Sequence, residues 1–229
     1  KLVKPWKTAG SDDMGIIELD ETGMMNAAGG VTAAEYCARM AGILAGIPMG
    51  MSATYAALPE LTAVTARTTE EQTAAIQAGK LILIHDGLQA KIARAVNSLT
   101  TIPENGKEDW SRIKIVEGMD LISYYLRTTI ENEYLGRYPN TYDNKQILVT
   151  AISDYFRYLE RAGVLSAGES YAEVDYERQL LWLTDQGVDT SGMTRKEILE
   201  YQTGSWVFIR CGGRLVDAME DFEVLFNNL

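Results

Sequence analysis

Acid–base and nucleophilic chemistry at neutral pH usually relies on histidine, and His85 is the single histidine among the 229 residues. It follows an apolar run and precedes the pair Asp86-Gly87, a position typical of an imidazole at the end of a strand beside a turn. No Gly-x-Ser-x-Gly nucleophile turn accompanies it. We therefore interpret His85 as a locally hydrogen-bonded residue and not as the base of a catalytic triad.

The spacing of cysteines and glycines does not favour a metal or phosphate site. Cys37 and Cys211 are widely separated, and neither zinc-type ligand spacing nor a calcium-loop pattern is present. The pairs Gly29-Gly30 and Gly212-Gly213 lack the P-loop and dinucleotide-binding patterns, so we interpret them as turns. We expect no metal and no cofactor.

Carboxylates and tyrosines are abundant but carry no specific signal. A glycosidase-type acid–base pair among the carboxylates is an alternative that the sequence leaves open, although scattered carboxylates are more typical of a solvated face. They include Asp12, Asp13, Asp217, Glu220, Asp221 and Glu223. The tyrosines between residues 124 and 158 have no interleaved basic patch, which favours packing over the stacking of nucleic-acid bases.

Composition and charge exclude several classes of protein. A hydrophobic content of 46% is that of an ordinary globular chain, and the net charge of −11 disfavours nucleic acid and anionic membranes as partners. The longest apolar stretch, residues 41–51, is shorter than the roughly 20 residues of a membrane span and contains three glycines and Pro48. The chain begins with Lys1, and we expect it to be a piece of a longer polypeptide.

The first half of the sequence predicts alternating strands and helices. Strands are expected at Met14–Leu19 and Leu61–Arg67. Helices are expected after Thr32, capped with Glu35 and ending at Pro48, and after Thr69, capped with Gln72 and ending at Gly79. A hairpin is expected from Leu81–Ile84 through a two-residue Asp86-Gly87 turn into Leu88–Val96. The unbroken apolar run in its first strand indicates burial on both faces.

The second half predicts helices followed by a small antiparallel sheet. A polar stretch at Pro103–Lys107 is the best candidate boundary, which divides the chain into residues 1–102 and 103–229. Beyond it, the sequence predicts four helices and then a final β region. The helices run from near Glu108 to Gly136, along a face of Leu148, Ile152, Tyr155 and Leu159 closed by Gly163, from near Val174 to Gly187, and after Thr194 capped with Glu197.

Two further β features close the chain. Trp206–Arg210 and Leu215–Ala218 are expected to pair as a hairpin through Gly212-Gly213. The alternation of Phe222, Val224 and Phe226 with polar neighbours predicts a terminal strand.

Five segments give the second half a recognisable character. They are Asn97-Ser98-Leu99-Thr100-Thr101, Ile113 to Asp120, Tyr142-Asp143-Asn144-Lys145, Thr203 to Phe208, and Asp217-Ala218-Met219-Glu220-Asp221. In order and spacing they resemble the C-terminal part of bacteriophage contractile tail sheath proteins, of the type found in myophages and prophages of Gram-positive bacteria. Residues upstream of Thr101 resemble the end of the α/β core domain of that family.

The resemblance implies a fold and a role. The expected fold is an α/β core-domain remnant (1–102) followed by an α+β C-terminal domain (103–229) with long helices and a small antiparallel sheet. The expected protein is a non-enzymatic structural subunit that polymerises helically around the tail tube and contracts to drive the tube through the bacterial envelope. Its expected partners are other copies of itself, the tail tube protein, and the baseplate and tail terminator proteins, with no nucleic acid and no membrane. It would be made in the host cytoplasm and reside in the virion tail.

Two sets of contact residues follow from this resemblance. Terminal arms in the family add strands to neighbouring subunits, a role that falls here on Asp221, Phe222, Glu223, Val224, Leu225, Phe226 and Asn227. Arg112, Lys114 and Arg127 are candidates for a helix face toward the tube or a neighbour, with a solvated surface as the alternative. Two alternative functions stay open: the sheath of a bacteriocin or related contractile injection system, and a hydrolase on a subtilisin-like fold.

Overall fold

The structure is a computed structural model that describes residues 1–6, 10–102, 104 and 106–227. The chain divides into two compact units. The first comprises Lys1–Met119 together with the C-terminal residues from Asp217, and the second comprises Asp120–Val216. The predicted domain boundary at 102/103 stays a prediction, since residues 103 and 105 lie outside the described residues.

The described part of the first unit contains two complete helices, the start of a third and short strands around a main apolar core. The complete helices are α1 (Ala33–Gly46) and α2 (Thr69–Gln77). The strands are β1 (Leu2–Pro5), β2 (Ile16–Leu19), β3 (Met24–Asn26), β4 (Gly29–Val31), β5 (Ala57–Leu58), β6 (Leu61–Ala63), β7 (Lys80–Leu81), β8 (Leu83–His85) and β9 (Ala90–Ile92). Strands β1, β2 and β7 form a parallel sheet in that order, while β4-β3-β6 and β5-β9-β8 are antiparallel. A parallel sheet with helices confirms the α/β character expected of this region.

Helix starts are set by local side-chain caps. At α1 the Thr32 hydroxyl accepts from the Glu35 N–H and the Glu35 carboxylate accepts from the Thr32 N–H, as predicted. The prediction for α2 was wrong by one residue, because Thr68 caps this helix together with Glu71. A carboxylate is a stronger acceptor than an amide, and Gln72 instead donates to the carbonyl of Arg67 at 3.1 Å.

The apolar run from Leu81 to Leu83 is buried on both faces, as its composition predicted. Leu81 and Leu83 belong to the main core cluster, whereas Ile82 packs in a separate cluster with Ala75 and Ala93. The run passes from the parallel sheet into the hairpin, since Leu81 pairs with β2 and Leu83 pairs with β9.

The hairpin β8–β9 is confirmed, but its turn differs from the prediction. His85 pairs with Ala90, so the loop has four residues, and Gly87 alone among them adopts a positive φ, of 93°. The Asp86 carboxylate accepts from the N–H groups of Leu88 and Gln89 and so takes the place of a tight two-residue turn. The returning strand is correspondingly short, Ala90–Ile92 instead of Leu88–Val96.

The helices of the second half differ from the prediction mainly at the start of the first one. Helix α3 (Ile113–Thr129) begins five residues later than expected, after a 3-10 turn at Glu108–Ser111, and continues as one π-helical turn at Ile130–Tyr134. Helix α4 (Tyr142–Arg161) buries Leu148, Ile152 and Leu159 at the predicted helical spacing, but it buries Phe156 and leaves the predicted Tyr155 only half-buried. The remaining helices are α5 (Tyr176–Asp185) and α6 (Arg195–Glu200), the latter capped by Thr194 and Glu197 as predicted.

The sheet of the second unit pairs different strands from those predicted. Strand β10 (Tyr171–Val174) pairs antiparallel with β11 (Ile209–Gly212), so the predicted hairpin of Trp206–Arg210 with Leu215–Ala218 was wrong. Gly212 permits close packing instead of a reversal, because a Cβ there would lie 2.9 Å from the Tyr171 ring. Long helices with a small antiparallel sheet confirm the α+β class. None of the described helices is long and apolar enough to cross a membrane.

Candidate subunit-contact site

The C-terminal residues 222–227, which we call the arm, form neither helix nor strand and pair with no strand of the described chain. Its large apolar side chains, Phe222, Val224, Leu225 and Phe226, are 74–85% exposed. Exposed clusters of this kind mark interaction surfaces in soluble proteins. The predicted terminal strand is therefore absent from the isolated chain, while the residues predicted to make the subunit contact are all exposed. Residues 228 and 229 lie outside the described residues.

The preceding residues 217–221, which we call the root, are held by two arginines of the first unit. Arg94 forms a bidentate pair with Asp221, with nitrogen–oxygen distances of 3.0 and 2.6 Å. The Nε of Arg94 and the Nη1 of Arg112 each lie 3.1 Å from the same oxygen of Glu220, whose side chain is 6% exposed. Arg112 also contacts Asp217 at 3.0 Å. The structure thus brings the acidic root together with two cations that are distant in the sequence.

We call this cluster the clamp; it consists of Arg94, Arg112, Asp217, Glu220 and Asp221. Its charges shift two pKa values in opposite directions. The hydrogen bond from Arg94 lowers the pKa of the Asp221 carboxyl, and the same bond raises the pKa of the Arg94 guanidinium. The clamp therefore favours charged Asp221 and charged Arg94.

The three cations predicted to face the tube or a neighbour occupy different environments. Arg112 lies just before α3, not within it, and binds the root. Lys114 is buried, and burial lowers the pKa of its amine, while Asp217 and Glu220 act in the opposite direction. Arg127 is exposed on the last turn of α3. Their role in contacting a tube or neighbour stays a prediction.

Two other segments that resemble the sheath family meet each other within the second unit. The Lys145 amine donates to the Thr203 hydroxyl at 3.2 Å, and that hydroxyl donates to the carbonyl of Trp206 at 2.6 Å. Asn140 reinforces the loop by donating to the carbonyls of Gly204 and Trp206. Lys145 and Thr203 are buried and Asn140 is half-buried, so their polar groups are used to connect the two segments by hydrogen bonds.

The segment Asn97–Thr101 connects parts of the first unit through hydrogen bonds. The buried Asn97 amide donates to the carbonyl of Trp110 at 2.8 Å, and the Ser98 hydroxyl donates to the carbonyl of Asp13 at 2.9 Å. The Asp12 carboxylate accepts from the N–H groups of Thr100 and Thr101, and these bonds lower the pKa of Asp12. The carboxylate of Asp12 thus holds the backbone of Thr100 and Thr101.

The other described residues that could act in catalysis or bind a metal do not come together in one site. His85 is exposed, and its Nδ1 accepts from the Gly87 N–H at 3.1 Å, as the sequence predicted. Open clefts of about 400 and 410 Å³ occur in the first unit, and His85 lines neither of them. Within the described part of the chain, no group of three or more histidine, cysteine or acidic side chains could hold a metal ion.

The family model described as phage tail sheath C-terminal domain matches residues 106–227, more than half of the chain. The chain belongs to this family. The tail sheath protein of Clostridium phage phiCD119 is 36% identical over 194 residues, which cover 85% of the chain and 54% of that relative. The chain thus spans about half the length of the curated relative that it matches. The match confirms the resemblance seen in the sequence.

Solved structures show the same fold. The sheath tail protein of Desulfitobacterium hafniense matches with a TM-score of 0.64 and 24% identity, covering 72% of this chain and 40% of that one. A sheath tail protein of Listeria innocua matches with a TM-score of 0.64 and 16% identity, covering 95% and 49%. A chain of the anti-feeding prophage baseplate matches with a TM-score of 0.67 and 14% identity, covering 99% and 60%.

Sequence reasoning identified the arm but missed the clamp. Arg94 and Asp221 are separated by 127 positions, so no local spacing connects them. The available signal was the density of carboxylates in Asp217–Asp221, which requires nearby cations if the segment is to be held against a chain of net charge −11.

Proposed function

We propose that the chain is part of a structural, non-enzymatic subunit of a contractile phage tail sheath. The subunits polymerise helically around the tail tube, and their contraction drives the tube through the bacterial envelope. The partners are further copies of the same protein, the tube protein, and the baseplate and terminator proteins at the ends of the tail. The observation that carries the proposal is the exposed apolar arm at the end of a chain of the sheath family.

The arm supplies a strand to a neighbouring copy. In the isolated chain, the backbone groups of residues 222–227 are not engaged in any sheet. Pairing with a sheet edge of another copy satisfies these groups, and alternate side chains enter pockets of the receiving sheet. The contact joins two different surfaces, so successive copies generate an open helix instead of a closed pair.

The energetics of one such contact favour a reversible bond. Burial of Phe222, Val224 and Phe226, which share one face of a strand, contributes roughly 5–9 kcal/mol. Ordering the six arm residues of backbone costs about 6–12 kcal/mol. These terms nearly cancel, so one donated strand holds weakly, whereas the many contacts of a lattice act together. A weak individual bond also lets subunits reorient between extended and contracted packings.

Deletion of residues 221–229 tests the proposal. In the natural polypeptide carrying this sequence, we expect the truncated protein to fold and stay soluble but to form no tubes or sheaths in negative-stain electron microscopy. Two point variants, each of which replaces one exposed apolar side chain by aspartate, separate the role of the arm from a general loss of surface hydrophobicity. Phe226→Asp removes an apolar side chain from the arm, and Leu88→Asp removes one from the tip of the β8–β9 hairpin. Normal polymers from the deletion variant would refute the arm's role.

A second candidate function is the sheath of a bacteriocin or another contractile injection system. The likeness to the anti-feeding prophage chain, which covers 99% of this chain, favours this candidate. Purification of the native particle separates the two functions. Capsid proteins found by mass spectrometry, together with nuclease-resistant DNA in the particle, support a phage tail, and particles with neither support an injection system.

A further inference from the structure

The contacts of the chain change between Asp221 and Phe222. Three carboxylates of the root contact two arginines, although the Met219 and Asp221 side chains are exposed, whereas the described side chains from Phe222 onward are exposed and no ion pair among the described residues holds them. A flexible arm with a fixed root behaves differently from an arm that is flexible throughout, because the fixed point limits where its tip can reach.

The two arginines are themselves anchored in the first unit. Val96 and Arg112 form an antiparallel bridge, which is flanked by hydrogen bonds from the Asn97 N–H to the carbonyl of Ser111 and from the Ile113 N–H to the carbonyl of Ala95. The distances of these two bonds are 2.9 and 3.1 Å. Arg112 therefore lies in the bridged backbone itself, and Arg94 lies between Ala93 and Ala95, whose backbone groups are hydrogen-bonded to Ile82 and Ile113.

The clamp is also balanced in charge. Arg94 and Arg112 contact Asp217, Glu220 and Asp221, and the buried Lys114 adds a third positive charge in the field of Asp217 and Glu220. Isolated surface ion pairs contribute little, but bidentate geometry and a shared carboxylate make a network stronger and more directional. Glu220, which bridges both arginines, is almost fully buried as a side chain.

We infer that Arg94 and Arg112 are positioning residues for assembly, which hold the root so that the arm leaves the first unit at one fixed point before a neighbouring copy binds it. This inference rests on the proposed function of the arm. Its consequence is quantitative. If loss of the clamp leaves the root correctly placed about a tenth of the time, the apparent affinity of the arm for its neighbour falls about tenfold.

The first experiment measures the position of the root without any assembly. Spin labels are placed at Met219→Cys in the root and at Leu88→Cys in the hairpin, two exposed positions of the first unit, in the natural polypeptide with every native cysteine, including Cys37 and Cys211, replaced by alanine. We expect pulsed electron paramagnetic resonance on the dilute, unpolymerised protein to give a narrow distance distribution. Moving the first label to Phe226→Cys should give a broad one.

Neutralising the clamp should broaden the root distribution. We expect the double variant Arg94→Gln/Arg112→Gln to widen the distribution at position 219 toward that at position 226. Asp217→Asn/Asp221→Asn removes charge from the other side and should have the same effect, which keeps the test valid if the arginine variant does not fold. Arg39→Gln breaks a 2.8 Å pair with Glu60 elsewhere in the same unit and serves as the control. An unchanged distribution at position 219 in both clamp variants would overturn the inference.

The second experiment measures polymerisation of the same variants by sedimentation. We expect the protein concentration needed for assembly to rise about tenfold in the clamp variants and to stay unchanged in Arg39→Gln. Melting temperatures of all the variants separate positioning from stability. If clamp variants assemble at the normal concentration while the arm deletion abolishes polymers, the positioning role is refuted and the proposed function stands. If the arm deletion also polymerises, the proposed function fails first.

Discussion

Two short apolar segments of this chain, residues 81–84 and 222–226, have similar sequence character and opposite surroundings. Leu81, Ile82 and Leu83 are completely or almost completely buried, whereas the apolar residues of the arm are exposed. The first segment pairs with β2 at Leu81 and with β9 at Leu83, and its side chains fill two apolar clusters. The second has no neighbouring strand in its own described chain. An apolar sequence with strand propensity therefore predicts that a segment pairs with another strand. Whether that strand belongs to the same chain depends on the rest of the fold.

The largest difference between the two segments should appear in the stability of the isolated subunit. We expect Leu83→Ala to lower the free energy of unfolding by about 2–5 kcal/mol, because it leaves a cavity in the main core. Phe226→Ala should change it by less than about 0.5 kcal/mol, because the ring is exposed. Denaturant unfolding followed by circular dichroism measures both. A cost near that of Leu83→Ala for Phe226→Ala would show that the arm packs on its own chain.

The buried segment also depends on the backbone conformation just before it, which directs the chain into the parallel sheet. Gly79 has φ of +70°, and a Cβ there would lie 2.9 Å from the carbonyl oxygen of Ser98. We expect Gly79→Ala to cost about 2–4 kcal/mol, which combines left-handed strain with displacement of rigid backbone. Gly87→Ala is the matched control, since Gly87 has φ of +93° with open space around it, and its cost should be about 1–2 kcal/mol. Equal costs would mean that the contact with Ser98 does not matter.

The sequence was informative where the physical cause is local. The caps Thr32 with Glu35 and Thr194 with Glu197 depend on residues three positions apart, and both were predicted correctly. The buried face of α4 follows from helical spacing and was also predicted. The β-prone pattern of the arm was recognised, although the sequence could not show that no strand among the described residues pairs with it.

Features that depend on distant partners were missed. Gly212 was interpreted as a turn residue, but its role is to let the Tyr171 ring approach the backbone, and the sequence does not show which ring approaches. Arg94 was not singled out at all, since its relation to Asp221 exists only after the chain has folded. The same limit applies to the receiving edge on a neighbouring copy, because it lies on another molecule.

The smallest predicted effect is a change in the pKa of Asp221 at the clamp, where the bound root meets the exposed arm. Asp221 is faced by Arg94, with Arg112 further away, and Asp217, Glu220 and Lys114 complete the charged surroundings. Because Arg94 lowers the folded pKa of Asp221, the contact contributes fully above the ordinary aspartate pKa of about 3.9 and is lost as the pH falls through the lower folded value. A carbon-13 titration of the Asp221 carboxyl should therefore give a midpoint below about 3.9 that rises toward this value in Arg94→Gln and stays unchanged in Arg39→Gln. A midpoint that Arg94→Gln leaves unchanged would mean that the guanidinium does not hold the Asp221 carboxylate in solution, and the root would then be held through Asp217 and Glu220 alone.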